Sequence, residues 1–398
     1  MRRALKDPSA KIFQPHLTHS PPTLQLGKVN RVITYRGCFN PPHQGHKDAL
    51  CHAFFRAGAD LNIIAAIIIP LDDRHVSRKP QMEKAGAFTL TKDQRIELWN
   101  TGGLVGGWHW CYPLTWTSAG GGIEAFKEEL LKEVRKDGFE LEFLTLLGPD
   151  HAGNGRASRK TITCGAKERA TFIQDGGLTW ATLPQYGDWQ AMNTDAAALR
   201  RLATEGSTLW LEDKLRMLYP EKLGDLSDDP TLRRTQIERR LRTYTRHLGA
   251  VRVCQRLDTT REAWIRFVPT RFIGSQGGAA FIGKQEMALS STLIRDIIWQ
   301  CRSPRDLVAQ IEGLALNSSL LSEFIRELDW DHPYFPKNNK KKRDPSPASP
   351  VPEAPISKRQ KISEKEMEVE QSPNLVPTNI RSVWGMQRVG EWIGHLLD

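Results

Sequence analysis

Two histidines stand three residues apart in a turn rich in glycine, asparagine and proline. The turn reads R-G-C-F-N-P-P-H-Q-G-H from Arg36 to His46. An apolar run, Val32 to Tyr35, precedes it and predicts a strand, and the residues that follow it show helical spacing. If the helix begins near Pro42, both histidines lie at its amino-terminal end, where unpaired N–H groups and the helix dipole favour anions. The stretch therefore predicts a phosphate site in which His43 and His46 stabilise charge that develops during phosphoryl chemistry.

A second phosphate-binding pattern lies far along the chain. It reads L-S-S-T-L-I-R-D from Leu289 to Asp296. Ser290 or Ser291 can cap a helix there, with Arg295 one turn along. Hydroxyl groups and a guanidinium at a helix start suit a pyrophosphate, although the pattern alone also fits an ordinary capped helix with a surface arginine. Together with the histidine turn, it predicts a second side of the same site.

The elements that would position these motifs alternate between strands and helices. This rhythm predicts an α/β fold, namely a Rossmann-like parallel sheet with helices on both faces. Ligands of such sheets bind at the carboxyl ends of the strands, where the polar stretches of this chain also lie. The predicted strands are 61–69, 108–112 and 141–147, and the predicted helices are 93–100 and 123–136.

The alternation is lost between residues 154 and 249, which we interpret as a partly helical insertion. Its clearest element is a helix from Pro230 to Leu248. A P-loop-like G-x4-G-K follows at 278–284, but Gln285 replaces the Ser or Thr that would hold magnesium, so a plain loop is favoured. Strands are expected again at 251–255 and 264–268, and helices at 304–312 and 319–328.

Composition is typical of an enzyme-sized chain in a reducing compartment. With 398 residues, of which 39% are hydrophobic, it can bury one large domain or two smaller ones. The most apolar run, Ile63 to Pro70, is too short to cross a bilayer, and no signal peptide is expected. Neither disulfides nor a zinc site is expected, because the six cysteines show no metal-binding spacing. They are Cys38, Cys51, Cys111, Cys164, Cys254 and Cys301.

The net charge of +10 is concentrated at the two ends of the chain. Residues 1–30 carry +4, residues 337–361 carry +6 and residues 362–398 carry −3, which leaves +3 for 31–336. Both ends are rich in proline and serine, so we predict disordered termini: a basic arm at 1–30 and a basic linker at 331–380. An amphipathic helix is predicted at 381–398, which could pack on the body or on a partner.

Two basic clusters in the linker resemble a bipartite nuclear-import signal. They are Lys340–Arg343 and Lys358–Lys361, on either side of a proline-rich spacer. An import receptor is therefore an expected partner, and the expected location is the nucleus, the cytoplasm or both. Nucleic-acid binding is not expected, because no aromatic residues alternate with these lysines.

The two phosphate motifs resemble signatures of the nucleotidylyltransferase superfamily. Gly37 to His46 is similar to its G-x-F-N-P-x-H-x-G-H motif, and Ser290 to Arg295 is similar to its S-S-T-x-I-R motif. The chain most resembles the nicotinamide-mononucleotide adenylyltransferases, over about residues 31–151 and 250–328. Two sister families fit less well. Cytidylyltransferases typically have F-D in place of F-N-P and carry R-T-x-G-I-S-T-T, which this chain lacks. Class I aminoacyl-tRNA synthetases carry K-M-S-K-S, which this chain also lacks.

The resemblance implies that a nucleotidyltransferase domain at 31–330 transfers AMP from ATP to nicotinamide mononucleotide, with Mg²⁺ on the ATP and no metal-ligating side chain assigned. By this resemblance, Lys79 would hold the substrate phosphate and Asp150 would contact a ribose or base. Trp116 would stack on the nicotinamide ring, although a role in the core is the alternative. The implied residues are His43, His46 and Arg295 for catalysis; Gly37, Cys38, Phe39, Asn40, Gly148, Asp150, Ser290, Ser291 and Thr292 for nucleotide or phosphate; and Lys79, Arg95 and Trp116 for substrate.

Departures from the family pattern concern the acceptor more than the phosphates. Lys47 stands where the family usually has an apolar residue, and Pro149 replaces the alanine of the family's G-A-D motif. The serine that precedes the corresponding proline in the family is missing before Pro70, and the sequence after His151 diverges from the family. Two alternatives therefore stay open. One is a nucleotidyltransferase of the same fold with another acceptor, such as phosphopantetheine, or with CTP as donor. The other is a non-catalytic nuclear protein that binds nucleotides or partners.

Overall fold

A twisted sheet of parallel strands forms the centre of the chain in the computed structural model. The sheet order is β3-β2-β1-β4-β5-β10-β9-β8, in which the first six strands run parallel and the last two pair antiparallel. The strands are β1 Val29–Gly37, β2 Ile63–Pro70, β3 His109–Cys111, β4 Glu140–Leu147, β5 Lys160–Gly165, β6 Ile173–Gln174, β7 Thr179–Trp180, β8 Gln190–Ala191, β9 Arg252–Gln255 and β10 Trp264–Pro269. Strands β6 and β7 form a separate antiparallel pair.

The structure describes only part of the chain. The predicted P-loop-like stretch, both basic clusters, the predicted helix at 381–398, Lys79 and Trp116 lie outside it. The described residues are 1–5, 12–13, 22–78, 88–102, 104, 107–114, 122–152, 160–165, 170–174, 179–192, 227–229, 231–233, 235–236, 239, 250–258, 262–270, 289–328 and 334. Within these residues, no helix has the length and apolar content needed to cross a membrane.

Helices cover both faces of the sheet, so the predicted α/β, Rossmann-like class is confirmed. Helix α2 packs on one face against Ile33, Ile68 and Leu146, while α5 packs on the other against Ile67 and Ile69. Alternate residues of each strand thus serve opposite faces, as the period of two requires. The helices are α1 Arg2–Leu5, α2 Gln44–Arg56, α3 Asp73–Ser77, α4 Lys92–Thr101, α5 Gly122–Lys136, α6 Pro149–Ala152, α7 Ser291–Gln300, α8 Leu307–Ile311 and α9 Ser318–Glu327.

Two predictions about chain organisation need correction. Residues 154–249 do not all form an insertion, since β5 lies between β4 and β10 in the centre of the sheet. Residues 1–30 are not wholly disordered either: α1 buries Ala4 in the cluster under α5, and β1 begins at Val29. In the predicted helix Pro230–Leu248, the described residues 231–233, 235–236 and 239 are helical.

Three carboxyl-terminal helices form a second, smaller core. Helices α7, α8 and α9 pack with Phe88, Leu90 and Leu98, which lie before and within α4. This cluster places the start of α7 next to the turn between β1 and α2. The two motifs that are remote in sequence are therefore neighbours at one end of the sheet.

Candidate active site

The turn after β1 is folded around the buried ring of Phe39. This ring is 2% exposed and lies edge-on to Tyr35, His46 and Trp99, with centroids 5.0–5.2 Å apart. A Cβ atom at Gly37 would lie 2.6 Å from the Phe39 ring, so any other residue there would displace this ring. Phe39 itself has a φ of 49°, and the Asn40–Pro41 peptide is cis. Gly37 and Phe39 therefore shape the turn and do not present side chains to a ligand.

The two histidines form a stacked pair at the start of α2. Their ring centroids are 3.6 Å apart, with 27° between the planes. The His43 backbone N–H donates to Nδ1 of His46 at 3.3 Å, which in a neutral imidazole leaves the proton on Nε2. His43 is only 4% exposed and His46 is half-buried. In this conformation His46 is the more accessible imidazole, and His43 supports it.

Helix α7 docks directly on the same turn. Arg295 donates from Nη1 to the Asn40 carbonyl at 2.6 Å and from Nη2 to Oγ1 of Thr292 at 3.0 Å. Ser291 donates from Oγ to the Pro41 carbonyl at 2.9 Å. Ser290 caps the helix by accepting from the Leu293 N–H at 3.1 Å. The structure thus brings the two predicted motifs into contact.

Burial affects the arginine at this contact. Arg295 is 9% exposed, and desolvation lowers its pKa, while Asp296 and Cys38 raise it. The guanidinium stays cationic, because arginine is not deprotonated in proteins. Its charge therefore lies beside the turn with little water between, where an electrostatic interaction with an anion is stronger than in bulk water.

The connection between α8 and α9 closes the other side of the turn. Ala315 pairs with His43 as an antiparallel bridge, and the Gln44 N–H donates to the Leu314 carbonyl at 2.9 Å. The Leu316 N–H reaches the Pro42 carbonyl at 3.4 Å. This connection fixes the first turn of α2, and nothing in the sequence pattern indicated it.

Two residues predicted to bind ligands also hold the framework of the site together. Asn40 is 2% exposed, and its amide donates to the Phe88 carbonyl at 2.7 Å and accepts from the Leu90 N–H at 2.9 Å. Arg95 is 0% exposed, and its contact with substrate stays a prediction. It donates to the Cys38 carbonyl at 2.7 Å and to Asp73 at 2.6 Å. Desolvation lowers the pKa of Arg95, and the bond to Asp73 opposes this.

A second charged corner lies beyond the ends of β2 and β3. Lys92 is 8% exposed, donates to Asp72 at 3.3 Å and also donates to the Leu114 carbonyl. Its ammonium lies 5.8 Å from the centre of the Tyr112 ring. Desolvation lowers the pKa of Lys92, whereas Asp72 raises it. Sequence analysis missed Lys92, although a lysine at the start of the predicted helix was a usable signal.

The end of β4 lies beside the end of β1, because the two strands are parallel neighbours. A Cβ atom at Gly148 would lie 2.5 Å from Oδ1 of Asp150, so glycine lets this exposed carboxylate fold back over the strand end. His151 lies 3.8 Å from Asp150. Across the described residues, no group of three or more His, Cys, Asp or Glu side chains could hold a metal ion.

Comparisons with known proteins add little. No protein-family model matches the chain, and no curated protein matches it. One similar solved structure is a nicotinic acid mononucleotide adenylyltransferase of Plasmodium falciparum complexed with APC, with a TM-score of 0.24 and 11% identity. The match covers 34% of this chain and 64% of that one, which is less than two thirds of its length. This likeness is too weak to support an assignment.

Proposed function

We propose that this chain is a nucleotidyltransferase that transfers AMP from ATP to nicotinamide mononucleotide, forming NAD and pyrophosphate. The observation that carries the proposal is the docking of α7 on the histidine turn, where Arg295 and Ser291 donate to the carbonyls of Asn40 and Pro41. Two motifs that resemble paired signatures of one superfamily thus meet at the carboxyl end of a parallel sheet, where ligands of such folds bind.

The triphosphate of ATP would lie between the starts of α2 and α7. The amino termini of both helices would face it with the dipole sign that favours anions. His46 would donate from Nε2 to a phosphate oxygen, and Arg295 and Thr292 would hold the departing pyrophosphate. Mg²⁺ would enter with ATP, bound by phosphate oxygens and its own waters, which is the usual mode of this ion.

Catalysis would come from positioning and charge stabilisation. The acceptor phosphate would attack the α-phosphorus in line, with one P–O bond formed and the bond to pyrophosphate broken. Such a reaction needs no nucleophilic side chain, and none is assigned. The role of His46 is to stabilise negative charge on the transferred phosphoryl group.

The direct test is turnover by the purified chain. Protein with ATP, Mg²⁺ and nicotinamide mononucleotide should release NAD and pyrophosphate in equal amounts. A panel with CTP as donor, and with nicotinate mononucleotide or phosphopantetheine as acceptor, distinguishes the related reactions. If another pair reacts and this one does not, the substrate assignment is wrong. If no pair reacts although ATP binds, a non-catalytic role is indicated.

A further inference from the structure

Arg36 lies at the carboxyl end of β1, on the face opposite to the histidine pair. It is the register neighbour of Ile69 on β2, which packs in the cluster beneath α5. The preceding residue, Tyr35, points to the α2 face, where its ring meets His46. The Arg36 side chain is exposed. The end of β1 therefore carries a guanidinium on one face and supports the imidazoles on the other.

Two ion pairs also lie at this corner. Asp72 accepts from Lys92 at 3.3 Å, and Asp73 accepts from Arg95 at 2.6 Å. Partial burial lowers the pKa of Arg36, and Cys38, Glu124 and Asp72 raise it. Arginine remains charged in either case. Arg36 is thus an exposed cation at a corner that also carries the carboxylates of Asp72 and Glu124.

The sheet topology places Arg36 at the expected binding crevice. From β1 the chain adds β2 and β3 on one side, and then returns to β4 on the other side of β1. The crevice at such a reversal is where open α/β sheets bind their ligands. Tyr35 pairs with Leu146 of β4, so Arg36 is the next residue along at the mouth of this crevice.

The geometry of the proposed reaction places the two substrates on opposite sides of the reacting phosphorus. This part of the inference therefore rests on the proposed function. In-line displacement puts the attacking oxygen and the leaving oxygen on opposite sides of the phosphorus. Pyrophosphate would leave toward the starts of α2 and α7, which lie together because Ser291 and Arg295 bond to the turn. The acceptor must therefore approach from the other side, where Arg36 lies.

We propose that Arg36 binds an anionic group of the acceptor mononucleotide and so helps to select an anionic acceptor. A guanidinium matches phosphate and carboxylate in bidentate geometry. Two acceptor groups have this chemistry. One is the phosphate that every mononucleotide acceptor carries, and the other is the ring carboxylate that distinguishes nicotinate mononucleotide from its amide.

Direct binding tests this proposal independently of turnover. Calorimetry would measure the Kd of nicotinamide mononucleotide and of nicotinate mononucleotide for the full chain and for Arg36→Gln, with and without a non-hydrolysable ATP analogue and Mg²⁺. Arg135→Gln is the matched control, because Arg135 is an exposed arginine in the last turn of α5, at the opposite end of the sheet. Thermal unfolding of each variant confirms that the fold is kept.

Each outcome supports or overturns the role of Arg36. In Arg36→Gln we expect about a tenfold or larger rise in Kd, the usual effect of losing a hydrogen bond to a charged group. A rise for both mononucleotides assigns the phosphate, and a rise for nicotinate mononucleotide alone assigns the carboxylate. The proposal is overturned if neither Kd changes, if Arg135→Gln has the same effect, if only the ATP analogue binds more weakly, or if the unaltered chain binds neither mononucleotide. Acceptor binding without NAD formation would refute the proposed reaction. The role of Arg36 would then be decided by the Kd values of the two mononucleotides alone.

Discussion

Two glycines at equivalent places in the sheet offer a matched test of the site. Gly37 ends β1 and Gly148 follows β4, and a Cβ atom at either would meet another atom at 2.5–2.6 Å. At Gly37 that atom belongs to the Phe39 ring, which is 2% exposed and enclosed by Trp99 and His46. At Gly148 it is an oxygen of the exposed Asp150 carboxylate. Gly37→Ala should therefore be costly, and Gly148→Ala should not.

The magnitude follows from what can move. An ordinary contact of a Cβ atom is 3.4–4 Å, so the Phe39 ring must shift by nearly 1 Å. Overpacking of a buried site costs about 1–3 kcal/mol, against a gain of about 0.4–1 kcal/mol from restricting the unfolded chain, which both variants share. We expect a net loss of about 1–2 kcal/mol for Gly37→Ala, and a change of within about 0.5 kcal/mol for Gly148→Ala.

The assay is urea unfolding of both variants, and the quantity compared is the difference between their free energies of unfolding. Adding Phe39→Leu to Gly37→Ala shortens the side chain that clashes, so the double variant should be more stable than the sum of the two single effects predicts. Gly37→Ala should also weaken ATP binding, because Phe39 contacts His46. Equal stability of the two alanine variants, or strict additivity in the double variant, would refute the assigned clash.

Three further predictions concern catalysis, pH and location. His46→Ala should lose about 2–4 kcal/mol of transition-state stabilisation in a pyrophosphate-release assay; unchanged turnover would contradict the mechanism. Burial, together with the charge of Arg56, lowers the pKa of His52 well below its ordinary value. As the pH falls below about 6.5, the His52 imidazole therefore takes up a proton only in the unfolded state. The free energy of unfolding should then fall by up to about 1.4 kcal/mol per pH unit, and urea titrations should show a smaller slope for His52→Gln. Alanine substitution of Lys340–Arg343 and Lys358–Lys361 should move a tagged protein toward the cytoplasm, and an unchanged distribution would dismiss the import signal.

Elements with a strong local signal were predictable from the sequence. Helix α5 was expected at 123–136 and spans Gly122–Lys136, because its apolar residues form one stripe. Helix α4 was expected at 93–100 and spans Lys92–Thr101, with Thr91 as its cap and Gln94 completing a capping box. Strand β4 was expected at 141–147 and spans Glu140–Leu147. In each case the residues that decide the structure lie within the element or next to it.

Strand β5 was missed because its pattern is deceptive. Thr161 and Thr163 are both 0% exposed on one face, while Ile162 and Cys164 pack on the α2 face. Threonine alternating with apolar residues normally indicates a strand with one solvent-exposed face. Parallel strands that are covered on both faces usually have continuous apolar sequences. The only described helix between β4 and β5 is the short α6 Pro149–Ala152, so the usual strand-helix rhythm gave no cue.

The site depends on hydrogen bonds that no sequence pattern encodes. Four carbonyls of the turn accept from other segments: Cys38 from Arg95, Asn40 from Arg295, Pro41 from Ser291, and Pro42 from the Leu316 N–H. Buried carbonyls need donors, and the two prolines of the turn supply no N–H of their own, so the donors must come from other segments. Arginine and serine in the remote motif therefore fix the shape of the turn before any ligand arrives. Their motif resembles a phosphate-binding signature, and in this structure part of its hydrogen-bonding capacity holds the histidine turn in place. A loss of activity on removing Arg295 would accordingly combine lost phosphate contact with a distorted turn.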